Sequence, residues 1–319
     1  MQALYAYLAK HPVVYVTRER ERGEGLADNT EGYSIISDMN KSTRELINEI
    51  ENVESAAILV FKANRQVEDV CRAKNWRLLN PKAELAEQVE GKVSQVRWLG
   101  ELAGLLPEHW EGELIHCPWA IPFVLQWNWG HSGEGTHMIK TSEQLGELIK
   151  KFPYRKVRVS KFIEGDTFTN NNVVTKDERV LVGNISLQIT GDSSLTDNQF
   201  ATVGNDWTQA RETLSEKNLR DYHTIVQKVG EKLVRDGWKG LFGLDVLLEI
   251  DSDKMYLIEI NARQPASSSY ESRLQRESGK TGVTTFEAHL AALLNLDLSG
   301  EELIKIDHGR RTINRKESV

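Results

Sequence analysis

Cysteine is scarce in this sequence, and its scarcity narrows the classes of protein to consider. The 319 residues include two cysteines, Cys71 and Cys117, which are too few for a disulfide framework and lack metal-ligand spacing. The chain also lacks an apolar run of the ~18 residues that a membrane-spanning helix needs. Its first residues have no basic segment ahead of an apolar core, as a signal peptide would. We therefore expect a cytoplasmic protein without a membrane partner.

An excess of positive charge and two familiar catalytic motifs are missing as well. Lysine and arginine number 40 against 47 aspartates and glutamates, a formal net charge of −7, which disfavours a nucleic-acid partner. There is no G-x-x-x-x-G-K-[ST] phosphate loop, and no G-x-S-x-G elbow accompanies the serines at 267–269. We find no internal repeat and no low-complexity segment. The remaining composition, 39% hydrophobic and 27% charged, is typical of a soluble globular protein of two or three domains.

The pattern of apolar segments divides the chain into four parts. In residues 1–80, short apolar runs such as Val13–Val16 alternate with amphipathic helical segments, which predicts a small α/β domain with a parallel sheet. Residues 81–117 are predicted to be a helical connecting segment, and residues 118–190 are rich in predicted strands. Residues 191–319 contain a long amphipathic helix followed by a strand hairpin. We therefore predict a fold that combines α/β and α+β domains.

The segment 240–269 is the most informative part of the chain. Two apolar strands, the first with Asp245 and the second with Glu259, are separated by a polar Asp-Ser-Asp turn, which predicts a hairpin. Because side chains alternate between faces along a strand, Glu259, Asn261 and Arg263 share one face. The hairpin brings Asp245 close to that face. Two carboxylates, an amide and a guanidinium are therefore expected to lie together.

This group of side chains has a specific chemistry. Carboxylate and amide oxygens are hard ligands that suit Mg²⁺ or Mn²⁺, and Arg263 offers a planar fork for a phosphate or carboxylate. The alternative is an edge hairpin with an ordinary polar face. Such a face normally mixes lysine, threonine and glutamate, so the clustering of these four residue types favours a functional site.

The two strands resemble those of the ATP-grasp superfamily. In that family a strand with an acidic residue precedes an E-I-N-x-R strand, and the two hold the metal ions of Mg-ATP. The resemblance extends from about Val13 to Leu294. It implies an N-terminal α/β domain, a small lid subdomain at 118–190 and a C-terminal α+β subdomain at 191–319, with ATP between the last two. The metal ligands that it implies are Asp245, Glu259 and Asn261, and the catalytic residue is Arg263.

A loop of small residues follows the apolar strand 123–126 and resembles the flap that covers the phosphates in this family, although a plain hairpin loop is the alternative. The phosphate-binding residues that it implies are His131, Ser132, Gly133, Gly135 and Thr136.

The family usually has a lysine at the end of the preceding strand, where this chain has Gln126, which brings no charge. Positive charge would then come from His131 or from a lysine elsewhere. Lys92 in the helical segment fits a second phosphate-binding lysine of the family, and a solvated surface lysine is the alternative.

The segment 157–165, VRVSKFIEG, resembles the adenine-binding linker of the family, and an ordinary strand end is the alternative. The residues that would bind the nucleoside are Lys161 and Ile163 through their backbone, Phe162 through its ring, and Glu164 or Asp166 at the ribose. The consecutive asparagines 170–172 are unfavourable in a strand, so either a ligand or a structural hydrogen-bond network must satisfy them. Gln188 on the next predicted strand is expected to reach the same cavity.

The resemblance implies an ATP-dependent carboxylate–amine ligase that works through an acylphosphate, with ATP and Mg²⁺ as cofactors. Small-molecule carboxylates and amines, most simply an amino acid or peptide, are the expected partners, and a homodimer is an open expectation. One alternative is an ATP-grasp carboxylase or an enzyme of the carbamoyl-phosphate type. Another is a non-catalytic nucleotide-binding protein, which the Gln126 replacement keeps open.

Overall fold

A computed structural model describes residues 2–51, 56–129 and 135–306 and the backbone of 312–313. Its helices are α1 (Gln2–Leu8), α2 (Thr43–Glu49), α3 (Arg65–Ala73), α4 (Ala83–Glu90), α5 (Lys92–Leu99), α6 (Ser142–Lys151), α7 (Trp207–Thr213), α8 (Glu216–Arg235), α9 (Ser268–Glu277) and α10 (Thr285–Leu293). Short 3-10 helices span Arg20–Gly23, Gly100–Leu105 and Leu114–His116. Of the helices in these ranges, none is both long and apolar enough to span a membrane.

The strands form three sheets within the described residues. They are β1 (Val13–Thr17), β2 (Tyr33–Ser37), β3 (Ala57–Val60), β4 (His109–Glu113), β5 (Phe123–Trp127), β6 (Thr136–Ile139), β7 (Lys156–Ser160), β8 (Gly165–Val174), β9 (Val180–Leu181), β10 (Ser186–Thr190), β11 (Thr202–Asp206), β12 (Gly240–Glu249), β13 (Met255–Asn261) and β14 (Thr312–Ile313).

The N-terminal domain has a parallel sheet in the order β2-β1-β3, as the alternation of strands and helices predicted. The central strand β1 is almost wholly apolar because both faces of a parallel sheet are covered. On one face, Tyr15 and Leu59 pack with α1 and with Phe286 and Leu290 of α10. The N-terminal domain therefore shares part of its core with the C-terminal end of the chain.

A four-stranded antiparallel sheet, in the order β4-β7-β5-β6, forms the small lid subdomain. All five residues of β5 are buried. Helix α6 begins after Thr141, whose side chain caps the amide of Gln144, and packs on the sheet through Leu145 and Leu148.

A seven-stranded sheet, in the order β13-β12-β8-β10-β11-β14 with β9 paired to β8, forms the large subdomain. The long helix α8 covers one face with Tyr222, Val226, Val229 and Leu233, which recur at helical spacing. The hydroxyl of Tyr222 donates to the carbonyl oxygen of Leu244 at 3.0 Å, which fixes the helix against β12. The mixed α/β and α+β architecture that the sequence predicted is confirmed.

The sheets do not divide the chain where the sequence pattern placed the boundaries. Strand β4 lies in the segment 81–117, which was predicted to be helical, and joins the lid sheet. Strands β8 and β10 lie in the segment 118–190, yet they belong to the large sheet, because β8 pairs with β12 along all ten of its residues. The boundary between the two sheets therefore falls at 161–164 and not at 190. Strand pairing over this distance along the chain leaves no local signal in the sequence.

Candidate active site

A cavity of about 500 Å³ lies between the lid sheet and the large sheet. Its walls come from β5 and β7 on the lid side and from β8, β10, β12 and β13 on the other. The first turn of α5 and the 3-10 helix at Arg20–Gly23 close it further. A volume of this size suits a nucleotide-sized ligand.

The predicted hairpin forms one wall of the cavity. Asp245 lies directly opposite Glu259 in the β12–β13 register, next to a bulge between Asp245 and Val246. The amide of Asn261 donates to Oδ2 of Asp245 at 3.4 Å. All three side chains, together with Arg263, line the cavity as their alternation predicted. Their role as metal ligands stays a prediction.

The electrostatics of Asp245 fit a divalent cation. Its pKa is raised to about 6, first because burial disfavours the carboxylate and then because Glu259 lies opposite, while Thr169, Gln188 and Lys92 act in the other direction. Its Oδ1 is buried and accepts no hydrogen bond from the described residues. A buried carboxylate oxygen without a donor is well suited to coordinate a hard cation such as Mg²⁺.

The candidate metal face is small. Across residues 2–51, 56–129 and 135–306, no group of three or more histidine, cysteine, aspartate or glutamate side chains is placed to hold a metal ion. The site therefore depends on two carboxylates and the amide oxygen of Asn261. This is enough for Mg²⁺, which keeps several waters and takes further ligands from substrate phosphates.

Lys92 is buried and forms an ion pair with Glu259, so it is not a solvated surface lysine. Burial would raise the pKa of Glu259, but Lys92 first, and then Arg263 and Arg158, outweigh it and hold that pKa below its ordinary value. Glu259 is therefore ionised at neutral pH. Nucleotide binding by Lys92 stays a prediction.

The position of Lys92 depends on Asn128, at the end of the strand that leads into the small-residue loop. Helix α5 begins at Lys92 after Gly91, which has no side chain to cap it. Instead the carbonyl oxygen of Asn128 accepts from the Lys92 amide at 3.0 Å, and its Oδ1 accepts from the amides of Val93 and Ser94 at 2.9 and 3.2 Å. A Cβ at Gly91 would lie 2.8 Å from that Oδ1. One residue of the loop strand thus caps the helix that carries the lysine.

Arg263 joins the candidate metal face to helix α4. Its guanidinium donates to Oε1 of Glu90 at 2.5 Å, and Glu90 also pairs with Lys62. Although burial acts against it, Glu90 and then Glu259 raise the pKa of Arg263, so it stays charged. Its guanidinium lies 5.9 Å from the ring centre of Phe61. The arginine is held at the edge of the cavity beside Asn261.

Gln126 faces the cavity, where its amide anchors a second arginine. Gln126 is opposite Arg158 in the β5–β7 register. Its Oε1 accepts from Nε and Nη2 of Arg158 at 2.9 and 2.7 Å, and its Nε2 donates to Thr136 at 3.3 Å. The cation that binds Gln126 is therefore Arg158, which the sequence analysis did not name.

The segment 161–164 connects the two sheets and lines the other end of the cavity. The Lys161 amide donates to the carbonyl oxygen of Glu108 at 2.9 Å, so Lys161 offers a ligand its own carbonyl rather than its N–H. Ile163 is buried, whereas the ring of Phe162 is 43% exposed. An exposed aromatic ring at a cavity mouth provides a surface against which an adenine can stack.

Asp166 does not line the cavity, although Glu164 and Thr167 do. Because β8 begins at Gly165, alternation along the strand sends Thr167 and Thr169 to the cavity and Asp166 to the other face. Of the two candidates for the ribose, only Glu164 therefore lines the cavity, and its role there stays a prediction. The residue at which β8 begins determines which face Asp166 occupies, and the turn residues in the sequence did not predict it.

The small-residue loop lies partly outside the described residues. His131, Ser132 and Gly133 fall there, so their predicted role cannot be compared with the structure. Gly135 and Thr136 are described and line the cavity. The amide of Trp127 donates to the carbonyl oxygen of Gly135 at 2.9 Å, which continues the β5–β6 pairing toward the loop.

The three consecutive asparagines form a structural network. Asn170 and Asn172 exchange side-chain hydrogen bonds of 2.7 Å on one face of β8. Asn171 on the other face donates to Glu271 at 2.5 Å and to Ser267 at 3.1 Å. The structural alternative therefore accounts for them. Gln188 does line the cavity, beside Asp245.

Sequence reasoning missed Arg158, Thr169 and Glu90. Arg158 is flanked by Val157 and Val159 on a buried strand, and such an isolated charge among valines is the one signal that was available. Thr169 and Glu90 gave no signal, because their partners are distant in the chain.

Comparison with known proteins supports one family. The profile described as the ATP-grasp domain matches residues 89–267. A ligase of the butirosin acyl-carrier protein and L-glutamate, from Niallia circulans, is 27% identical over 145 residues. That match covers 44% of this chain and spans about a third, 32%, of the curated relative.

Solved structures share the fold at low identity. Carboxyaminoimidazole ribonucleotide synthase from Aspergillus clavatus, complexed with ATP, has a TM-score of 0.66 at 18% identity, covering 96% of this chain and 82% of its own. The L-amino acid ligase from Bacillus licheniformis has a TM-score of 0.64 at 15% identity, covering 94% and 78%. These likenesses extend over nearly the whole chain, and the family profile alone matches more than half of its 319 residues. The chain belongs to the ATP-grasp family.

Proposed function

We propose that this protein is an ATP-dependent carboxylate–amine ligase that joins an amino acid or peptide to an amine through an acylphosphate. The observation that carries the proposal is the convergence of Asp245, Glu259 and Asn261 with the cations Lys92 and Arg263 on one cavity. Phosphoryl transfer requires positioned cations and charge neutralisation more than a side-chain nucleophile. The cavity provides both.

ATP is proposed to lie with its adenine at the linker between the sheets. The carbonyl of Lys161 and the amide of Ile163 would read the adenine edge, and Phe162 would pack on the ring. Gln126, Gly135 and Thr136 also line the cavity and are proposed to face the phosphates. His131, Ser132 and Gly133 are proposed to close over the phosphates from the loop.

The two carboxylates and Asn261 would hold Mg²⁺. When bound, the ion neutralises charge on the phosphate oxygens. Within the protein, Lys92 balances the charge of Glu259. Phosphates in the cavity would offer Lys92 a second anionic partner if Glu259 held the ion.

The chemistry consists of two displacements. An oxygen of the substrate carboxylate attacks the γ-phosphorus, the bond to the β-phosphate oxygen breaks, and ADP leaves. The amine then attacks the acyl carbon of the acylphosphate and expels phosphate with loss of one proton. Arg263 would stabilise negative charge on the transferred group. Closure of the loop would exclude water, which otherwise hydrolyses the acylphosphate.

The substrate class has support from the named relatives. The curated relative is a ligase that acts on L-glutamate and an acyl-carrier protein, and one structural neighbour is an L-amino acid ligase. Both names favour an amino acid as one substrate. A second candidate function is an ATP-dependent carboxylase that activates bicarbonate, favoured by the likeness to carboxyaminoimidazole ribonucleotide synthase.

A screen of ADP formation separates these functions. Purified protein with Mg-ATP is incubated with single amino acids, amino-acid pairs and dipeptides, and in a parallel series with bicarbonate and an amine. The proposal predicts ADP formation that depends on an amino acid. ADP formation that requires bicarbonate would favour the carboxylase, and no ADP in any series would favour a non-catalytic nucleotide-binding protein.

A further inference from the structure

Arg158 is a buried cation that forms no ion pair with a carboxylate among the described residues. Its side chain lines the cavity although the residue is only 3% exposed. Three other cations of the cavity wall form an ion pair with a carboxylate: Lys92 with Glu259, Arg263 with Glu90 and Arg22 with Glu19. No carboxylate of the described residues forms such a pair with Arg158. Glu259 attracts Arg158 from beyond ion-pair distance, and because a buried charge is costly, a closer anion would stabilise it further.

Neutral acceptors hold the guanidinium in place. Besides its two bonds to Gln126, it donates to Oε1 of Gln95 at 3.2 Å and to the carbonyl oxygen of Ile258 at 2.9 Å. These four bonds occupy four of the five guanidinium N–H groups and leave one on Nη1. Burial lowers the pKa of Arg158 to about 10, and Glu259 acts in the opposite direction. The group is thus charged at neutral pH and oriented, and it forms no ion pair with a carboxylate of the described residues.

The position of Arg158 in the cavity indicates which part of a bound nucleotide would lie against it. Arg158 donates to the carbonyl oxygen of Ile258, which directly precedes Glu259 on β13. Through Gln126 it is linked to Thr136 at the base of the small-residue loop. The proposed adenine linker follows on the same strand, since Lys161 comes directly after β7. Arg158 therefore lies between the proposed adenine linker at 161–164 and the candidate metal ligands on β12 and β13.

We infer that Arg158 binds the phosphate chain of ATP and supplies the positive charge that Gln126 does not, with Gln126 acting as the residue that positions it. This inference rests on the proposed function, because it takes ATP as the ligand of the cavity. It assigns a specific phosphate contact to an arginine on the strand next to the loop strand. Gln126 contributes through its acceptor oxygen rather than through a charge.

Calorimetric titration tests the inference without turnover. Wild-type protein and the variants Arg158→Gln and Arg72→Gln are titrated, with Mg²⁺ present, with a non-hydrolysable ATP analogue and with adenosine. Arg72 is an exposed arginine on α3 that does not line the cavity, and its substitution makes the same change of charge. Circular dichroism establishes that each variant is folded.

The expected result is selective for phosphate. Arg158→Gln should lower the affinity for the ATP analogue by about tenfold to about a hundredfold, which corresponds to the loss of a charged hydrogen bond. It should leave adenosine unchanged, and Arg72→Gln should change neither ligand. An equal loss of affinity for the analogue and for adenosine, or no loss of affinity for the analogue, would overturn the inference.

A second variant covers the case in which Arg158→Gln does not fold. Arg158→Lys keeps the charge but replaces the planar fork with a point charge. It should bind the analogue about threefold to tenfold more weakly, as a partial loss of charged hydrogen bonding requires, and adenosine as before. An unchanged ratio of the two affinities would overturn the inference. Wild-type protein that binds no analogue would overturn the nucleotide assignment itself, whereas binding without ligase turnover would overturn only the proposed function.

Discussion

Replacing Asp245 with asparagine is expected to stabilise the protein while removing its activity. The pKa of Asp245 is about 6 against an ordinary value of 3.8, because the carboxylate is buried opposite Glu259. Because the pKa of Asp245 is higher in the folded than in the unfolded protein, protonation of Asp245 stabilises the fold. This stabilisation is complete below pH 3.8 and is lost as the pH rises through about 6. Above pH 6 the ionised group therefore destabilises the fold. Asparagine keeps an acceptor oxygen for Thr169 and Gln188 without the charge.

The size of the effect follows from the shift. A difference of about 2.2 between the two pKa values corresponds to ~3 kcal/mol at ~1.4 kcal/mol per unit. Oδ1 of Asp245 is buried, but the residue as a whole is partly exposed at the cavity wall. Solvent screening therefore reduces this figure, and we expect ~1–2 kcal/mol. For a chain of this size that is a rise of about 2–6 °C in Tm.

Thermal unfolding in EDTA at pH 8 and at pH 4.5 measures this prediction. Asp245→Asn should unfold at a higher temperature than wild type at pH 8, with most of the difference gone at pH 4.5. Added Mg²⁺ should raise the Tm of wild type and not that of the variant. Asp251→Asn, at an exposed position in the turn of the same hairpin, is the matched control and should change little at either pH. A Tm for Asp245→Asn that is below wild type at pH 8 would refute the assignment of a strained, cation-binding carboxylate.

Three other predictions address the same cavity. Glu259→Gln should lower kcat by on the order of 10²-fold or more with the fold retained, as expected for loss of an electrostatic catalyst, and a near-normal kcat at saturating Mg²⁺ would remove Glu259 from the metal site. Asn128→Ala should raise the KM for ATP severalfold, because loss of the cap releases Lys92 at a cost of ~1 kcal/mol; Asn128→Asp should restore the KM, and failure of this rescue would separate the cap from nucleotide binding. Mg²⁺ affinity, measured by calorimetry, should increase as the pH rises through about 6, since Asp245 must lose its proton to coordinate the ion, and a pH-independent affinity between pH 5 and 7 would contradict this.

The β12–β13 hairpin was predictable because its signals are local. Asp245 and Glu259 lie on strands joined by a short turn, so alternation and turn chemistry were enough to place them opposite each other. The N-terminal sheet was predictable for a similar reason. Its strands β1, β2 and β3 alternate with helices, and parallel pairing through helical crossovers is the usual outcome.

The remaining features depend on long-range pairing. Whether Gln126 faces Arg158 is decided by the register between β5 and β7, and whether β8 joins the lid or the large sheet is decided by its pairing with β12. The face on which Asp166 lies depends on where β8 begins. No local pattern specifies these registers, so the lid boundary and the charge that accompanies Gln126 became visible only in the folded chain.

Trapping with hydroxylamine tests most directly whether this cavity activates a carboxylate at the expense of ATP. Hydroxylamine replaces the unknown amine and converts an acylphosphate to a stable hydroxamate, so only the acid needs to be varied. With Mg-ATP and a panel of amino acids and dipeptides, we expect at least one acid to give hydroxamate and ADP in equal amounts, and Glu259→Gln to give neither. ADP formation without hydroxamate for every acid, or neither product from folded wild-type protein that binds ATP, would contradict the proposed ligase function.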